Sequence, residues 1–470
     1  MLRINPEQLE SVEMKRILEY LIEKFDPSHP AMLQDYYIGD HDIKDRQMLD
    51  RTKPNNKLVI NKCRFITDVL TGYFLGKPVS YTSDEPEPEK KTIVQKVKDK
   101  LTGKPKKGGD EFLNALTDIF EANSEQDHNY ELGKGQSIQG VDYELLYLDE
   151  ESNIGFANLA RQSVIFVLKD DITGDPAIAV RIYDTDDVLE GKKHFYDAYT
   201  DSEIITFEAG GDNNLKSLKE IGRVPHYFGE VPVIAYMNNE EMLGDFEDII
   251  PLNDALNKVQ SDTANDFEYF TDAYLVATGA QLDDEDIATM RENRVIAIPD
   301  KEASVDWLIK DINDTAVENY KNRLEKDIHG ISKTPNLSDE AFAGNLSGVA
   351  ISYKLWPMEQ ISVIKERKFK KGLQRRLKLI ANVLNLKGKS YDWRSINITF
   401  SRNIPQNMVE IVDMASKLKG IVSDETLLAQ LPFVEDVQGE IEKLEAQKPT
   451  VDLDMFGGDE PEPPTEGQST

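Results

Sequence analysis

Apolar residues first recur at helical spacing over residues 6–25, where Leu9, Val12, Ile17, Leu21 and Phe25 fall on one stripe. A second short helix is predicted from Pro30 to a stop at Gly39. Residues 56–80 form a largely helical apolar stretch closed by Gly76 and Pro78. Helices follow near 111–140, and then the period shortens to two. Asp142–Leu148, Ser163–Leu168, Ala177–Tyr183, Phe195–Tyr199 and Glu203–Phe207 are short runs rich in β-branched and aromatic residues, with Gly, Asp or Asn between several of them. Helices preceding a run of strands predict an α+β domain.

The helical period returns at 245–270, where Ile249, Leu252, Leu256, Val259 and Phe267 share a stripe on a helix about 38 Å long at 1.5 Å per residue. Residues 272–310 read as a compact insert: a strand at Tyr274–Thr278, a helix at Asp283–Asn293, and strands at Val295–Ile298 and Val305–Ile309. A second helix follows, opened by a Thr315-x-x-Glu318 capping box, with Ile312, Ala316, Tyr320, Leu324, Ile328 and Ile331 as its apolar positions. Two helices of similar length flanking a small insert suggest a stalk with a tip. Residues 332–347 are a polar loop, and a long helix runs over 348–385 with Pro357 inside it. An interior proline costs about 3 kcal/mol, so a bend enforced by neighbours is expected there. A strand at Ile396–Ser401 and two helices, 405–419 and 423–447, close the folded part. Residues 449–470 are acidic and rich in Pro and Gly, and read as a disordered tail.

Composition narrows the function. The 470 residues suggest two to four domains, and 39% hydrophobic content is enough for a sizeable core. No run approaches the roughly 18 apolar residues of a membrane span, and MLRINPEQLE lacks the apolar core of a signal peptide, so synthesis in a cytosol is expected. Cys63 is the single cysteine and reads as a buried core residue; the six histidines are scattered without paired spacing, so no metal site is expected. The net charge of −31 argues against a general nucleic-acid binder. It fits a very soluble protein, or a surface that sits beside DNA without gripping it. The lysine-rich run from Lys90 to Lys107 reads as an exposed loop or helix.

Catalytic motifs fail on inspection. Gly72-x-x-x-Gly76-Lys77-Pro78 has one residue too few between its glycines for a phosphate-binding loop, and Pro78 stands where a Ser or Thr would hold magnesium. Gly133-x-Gly135 has Ile138 in place of the third glycine of a dinucleotide fingerprint. The acidic run Asp283-Asp284-Glu285-Asp286 sits at an expected helix start, where carboxylates favour the positive end of the helix dipole.

Four segments together resemble the portal proteins of long-tailed bacteriophages, especially those of phages of Gram-positive bacteria. They are Tyr36-Tyr37-x-Gly39-x-His41-x-Ile43-x-x-Arg46; Lys53-Pro54-Asn55-Asn56-Lys57-Leu58-Val59 leading to Gly72-Tyr73-Phe74-Leu75-Gly76-Lys77-Pro78-Val79; Thr334-Pro335-Asn336 through Phe342-x-Gly344-Asn345-x-Ser347-Gly348-Val349-Ala350; and Leu431-Pro432-Phe433-Val434-x-Asp436. The resemblance implies an α+β portal fold with an α/β wing (1–244 and 348–401), a two-helix stem (245–271 and 311–333), a small α/β clip (272–310), a tunnel loop (334–347), a long kinked helix and a helical crown (402–448). It implies a cyclic ring of about twelve copies at the capsid vertex, made in the host cytoplasm. The ring would pass double-stranded DNA for packaging and ejection, and contact the large terminase, the head–tail adaptor, and major capsid and scaffolding proteins. No cofactor, metal, membrane or enzymatic activity is expected. Within that frame Ser338, Asn345 and Ser347 would line the DNA channel, and Asp283, Asp284 and Asp286 would dock partners on the clip. The basic stretch Lys365, Arg367, Lys368, Lys370, Lys371, Arg375, Arg376 and Lys378 would face DNA or, by preference, pair with an acidic neighbouring subunit. The rival readings are a metal-dependent nuclease of the packaging machine and a cytosolic scaffold unrelated to phage.

Overall fold

The computed structural model describes residues 2–49, 53–83, 108–187, 191–210, 214–269, 274–278, 304–308, 314–336, 348–403 and 408–428, with scattered positions between 431 and 444. The chain divides into two units, Met1–Asn403 and Ile404–Thr470.

The first unit opens with β1 (Leu2–Ile4), followed by α1 (Pro6–Ser11), α2 (Met14–Lys24) and α3 (Ser28–Ile38). The single helix expected over 6–25 is two. Asn5 caps α1, with Pro6 at its first position, and Val12 and Glu13 take up extended ψ values of 137° and 134° before α2 starts. Gly39, at φ 90°, ends α3 in the left-handed conformation that glycine adopts without penalty. Helix α4 (Lys62–Leu75) begins six residues later than the apolar pattern suggests, because residues 56–61 belong to no helix.

After β2 (Ser80–Ser83) come α5 (Gly108–Ala122) and α6 (Glu125–Gln139), and then the strands. These are β3 (Val141–Leu148), β4 (Ile154–Leu159), β5 (Val164–Lys169), β6 (Pro176–Asp187), β7 (Gly191–Tyr199), β8 (Glu203–Gly210), β9 (Asn214–Pro225) and β10 (Val233–Met237). They form a six-stranded sheet in the order β1-β5-β6-β7-β8-β9 and a three-stranded sheet in the order β10-β3-β4. Helix α2 buries Ile17, Leu18 and Leu21 among Ile165, Val167, Ile178 and Tyr196 of the larger sheet. A second cluster joins Tyr143 and Leu145 of the smaller sheet to Val164, Phe166 and Tyr199 of the larger. Strand β9 is an edge strand carrying Lys219, Glu220 and Arg223, so its alternation is masked in the sequence.

The helices α7 (Ile250–Tyr269) and α8 (Asp314–Ser332) pack against each other. Thr315 falls inside the first turn of α8 rather than at its cap. Between them lie β11 (Tyr274–Thr278) and β12 (Ser304–Leu308), paired antiparallel from Tyr274↔Leu308 to Thr278↔Ser304. The helix expected at Asp283–Asn293 and the strand at Val295–Ile298 lie outside the described residues. Helix α9 (Gly348–Leu386) is helical over all 39 residues, Pro357 included. Strand β13 (Ile396–Thr399) pairs antiparallel with β2. The largest core cluster packs α9 residues Phe369, Leu373, Leu377 and Ile380 on Phe74 of α4, Phe112, Leu116 and Phe120 of α5, and Ile396 and Ile398 of β13. The second unit contains α10 (Met408–Leu418) and α11 (Asp424–Leu428).

Candidate functional site

Helix α7 carries a polar stripe at four-residue spacing, Asn253, Asn257, Ser261 and Asn265, of which the first three are fully buried. Its partner is the segment 56–62. Asn265 Oδ1 accepts from the Asn56 N–H (2.7 Å), Ser261 Oγ from the Leu58 N–H (2.9 Å), Asn257 Oδ1 from the Ile60 N–H (2.7 Å) and Asn253 Oδ1 from the Lys62 N–H (3.1 Å). Every second amide of one segment meets every fourth side chain of the other. Two extended residues span about 6.6 Å and four helical residues about 6.0 Å, so the two repeats keep register over four rungs.

The first two sequence segments converge on this ladder. His41 Nε2–H donates to Tyr36 O (2.9 Å), and its Nδ1 accepts from the side-chain amides of Asn253 (3.0 Å) and Asn257 (2.9 Å). The ring also stacks on Tyr36, whose hydroxyl donates to Asp254 at 3.0 Å. Burial pushes the His41 pKa below its ordinary value. Arg46 spreads its guanidinium over Asn55 Oδ1 (3.1 Å), Asn56 O (2.7 Å) and Asp262 of α7 (2.7 Å). Helix α4 is tied to α8 in turn by a Lys62–Glu325 ion pair at 3.1 Å. The stretch 36–62 therefore clamps α7 along most of its length and reaches α8 through Glu325. The sequence signal was the Asn/Ser spacing in α7, overlooked beside the apolar stripe.

The second half of the second segment, 72–79, is joined to α9. Phe74 packs edge-on to Phe369 and face-on to Phe400, at 5.7 and 5.4 Å between ring centres. Tyr73 donates to Glu359 (2.7 Å), and the Arg402 guanidinium donates to Glu359 (2.9 Å) and Glu366 (2.8 Å). A side chain at Gly76 would meet Gly72 O at 2.1 Å and Asn403 Nδ2 at 2.6 Å, so this turn has no room for one. Cys63 is fully buried, and burial pushes its thiol up to about 12.

Six of the eight basic residues on α9 find partners within their own chain, where a neighbouring subunit had been expected. Lys365 is buried against Asp245, and Lys368 pairs with Glu240. Lys370 donates to Ile398 O (2.9 Å); Arg375 pairs with Glu230 at 3.2 Å, and Lys378 with the same carboxylate. Arg376 is wholly buried. Its Nε donates to Glu144 Oε2 (3.0 Å), its Nη1 pairs with Glu125 (3.0 Å), and its Nη2 stands 2.7 Å from Glu144 Oε1 without hydrogen-bond alignment. The guanidinium lies 4.9 Å from the centre of the Phe156 ring. Burial alone would raise the Glu144 carboxyl, but the charges of Arg376 and His128 outweigh it and hold it at about 2. A basic run is visible in sequence; the return of the carboxylates at 230–245 to this helix is not. Arg367 and Lys371 are exposed and form no ion pair among the described residues. Ser338, Asn345, Ser347, Asp283, Asp284 and Asp286 lie outside the described residues. Among the described residues no group of His, Cys, Asp or Glu could hold a metal ion, and no helix is long and apolar enough to cross a membrane.

The described residues thus form a mixed α/β body in which a cationic helix is tied to carboxylates elsewhere in its own chain. The chain belongs to the family described as "Phage portal protein, SPP1 Gp6-like", whose model matches residues 26–452. It is similar to the portal protein of Bacillus phage SPP1, at 26% identity over 92% of this chain and 86% of that one. It is also similar to the portal protein of Clostridium phage phiCD119, at 23% identity over 90% and 93% respectively. Its function is accordingly that of a phage portal, and the family is a structural one.

Proposed function

We propose that this chain assembles into a closed ring of about twelve copies at the capsid vertex, through which double-stranded DNA is packaged and later ejected. The observation that carries this is the family match over residues 26–452. A cyclic assembly of this kind repeats one heterologous interface around an axis. In this reading residues 1–244 and 348–401 are the wing, α7 and α8 the stem, 272–310 the clip, 334–347 the tunnel loop and 402–448 the crown. The packed pair α7–α8, with β11 and β12 between them in sequence, supports the stem and clip assignment.

Asp283, Asp284 and Asp286 on the clip would meet the large terminase during packaging and the head–tail adaptor afterwards. Ser338, Asn345 and Ser347 would line the channel, where short polar side chains slide past phosphates without a strong hold. The net charge of −31 supports the same idea, since an acidic wall repels the duplex and lowers friction. Major capsid and scaffolding proteins would surround the ring in the virion, after synthesis in the host cytoplasm. Negative-stain imaging of the purified protein tests this reading. Turbine-shaped rings with a central hole are expected; small featureless particles overturn it.

A further inference from the structure

The outer face of α9 is unlike the rest of the helix. Tyr353 is 77% exposed, Trp356 61% and Ile364 50%, and Gln360, Arg367 and Lys371 are exposed with them. The steps between these six are 3, 4, 4, 3 and 4 residues, so they form one continuous stripe along the helix. The opposite side buries Leu355, Met358, Ser362, Lys365, Phe369 and Arg376. Large aromatic side chains left in water beside an arginine are the composition of a protein contact, where Trp, Tyr and Arg carry most of the binding energy.

We propose that this stripe is one half of the contact between neighbouring copies of the chain. Tyr353, Trp356 and Ile364 are buried on assembly, and Arg367 and Lys371 pair with carboxylates of the neighbour. The inference rests on the ring reading above and supplies it with a surface. Charge selects the occupant. Six cations of the basic stretch are neutralised or hydrogen-bonded within the chain, and the other two, Arg367 and Lys371, lie on this stripe and form no ion pair within 4.0 Å among the described residues. A second copy, at net charge −31, presents the acidic surface that those two require. Duplex DNA would suit the basic end of the stripe but leave Tyr353, Trp356 and Ile364 without an apolar partner. A heterologous ring contact needs two different faces of one chain, and an exposed stripe on α9 supplies one of them.

The test compares the full-length chain with Tyr353→Ala/Trp356→Ala and with Arg367→Glu/Lys371→Glu, by mass photometry over a dilution series. The expected result is that wild type forms rings, and that each double variant needs at least tenfold more protein to reach the same ring fraction. Circular dichroism shows whether the variants keep their helices. A single-tryptophan chain (Trp307→Phe/Trp393→Phe) guards against misfolding as the cause: acrylamide quenching of Trp356 should fall severalfold when rings form. A monomeric wild type overturns both this contact and the ring reading. Rings in wild type and both variants alike, or unchanged quenching, overturn the contact alone. Variants that assemble normally yet fail to package DNA place the stripe on the channel instead, and also overturn it.

Discussion

The side-chain amide of Asn257 donates to Nδ1 of His41 at 2.9 Å, while its carbonyl oxygen accepts from the Ile60 N–H at 2.7 Å. One buried residue in the middle of α7 thus holds two segments 197 and 216 positions away. Asn257→Ala removes both bonds and leaves the Ile60 amide without a partner, while His41 Nδ1 keeps the Asn253 amide. An orphaned buried amide costs about 1–3 kcal/mol, and a loss of that size is expected in denaturant unfolding. Hydrogen exchange should rise in the peptide spanning 55–62 before it rises elsewhere. Uniform exchange across the chain would show that the ladder is not a local clamp.

The same histidine makes the ladder sensitive to acid. His41 Nε2–H is committed to Tyr36 O, and Nδ1 faces two amide donors, so a second proton has no acceptor. The folded pKa lies below the ordinary 6.5, chiefly because the ring is buried. The unfolded chain therefore binds the proton more readily. The stabilisation is complete above about pH 6.5 and is lost as pH falls from there through the folded pKa. His226 and His329 are shifted the same way by burial. Buried Asp142 is shifted up by burial and works in the opposite direction, since its protonated form is favoured in the fold. A local probe separates the two. Exchange at 55–62, corrected for its intrinsic pH dependence, should accelerate as pH falls below 6.5 in wild type, and much less in His41→Asn.

How much of this was legible in the sequence depends on the range of the interaction. Helix α9, the turn at Gly39 and several strands follow from local period and turn residues, and the structure has them. Residues 56–61 were read as helix because Leu58, Val59 and Ile60 are apolar and adjoin a helix. Their amides are instead taken by a helix 200 residues away. Strand β10 is only five residues long and hides behind Pro232. The four-residue Asn/Ser spacing of α7 was present to be read. A polar stripe on an amphipathic helix ordinarily faces solvent, and sequence does not say which polar stripes are buried.

Arg376 should be among the residues least tolerant of change. Arg376→Ala leaves Glu125 and Glu144, both buried, without their counter-charge. Breaking a buried pair on one side costs about 3–5 kcal/mol. Adding Glu144→Gln to Arg376→Met should recover part of that loss, since it removes the stranded charge along with its partner. Equilibrium unfolding of the three chains decides it. A double variant weaker than Arg376→Met would mean that Glu144 is held mainly by His128 and Tyr236, whose side chains also reach it at 2.8 Å each.

The same substitution, glycine to alanine in a helix, should have opposite signs at two positions. Helix propensity favours alanine by about 1 kcal/mol at either. At Gly330 of α8 an added methyl group meets nothing within 4 Å, so Gly330→Ala should stabilise the fold by up to that amount. At Gly372 of α9 the methyl would stand 2.5 Å from Cε1 and 2.7 Å from Cδ1 of the Tyr236 ring. That ring has little room to withdraw. It is fully buried, tilted against Phe369 at 4.7 Å, and fixed by a 2.8 Å hydrogen bond from its hydroxyl to Glu144. Moving it would also disturb the Arg376 guanidinium, which lies 5.8 Å from its centre. Overpacking of this kind costs about 1–3 kcal/mol, more than the propensity gain. Gly372→Ala should therefore destabilise in denaturant unfolding while Gly330→Ala stabilises. If both stabilise, the Tyr236 ring can shift freely, and the seam between α9 and the three-stranded sheet is looser than its packing implies.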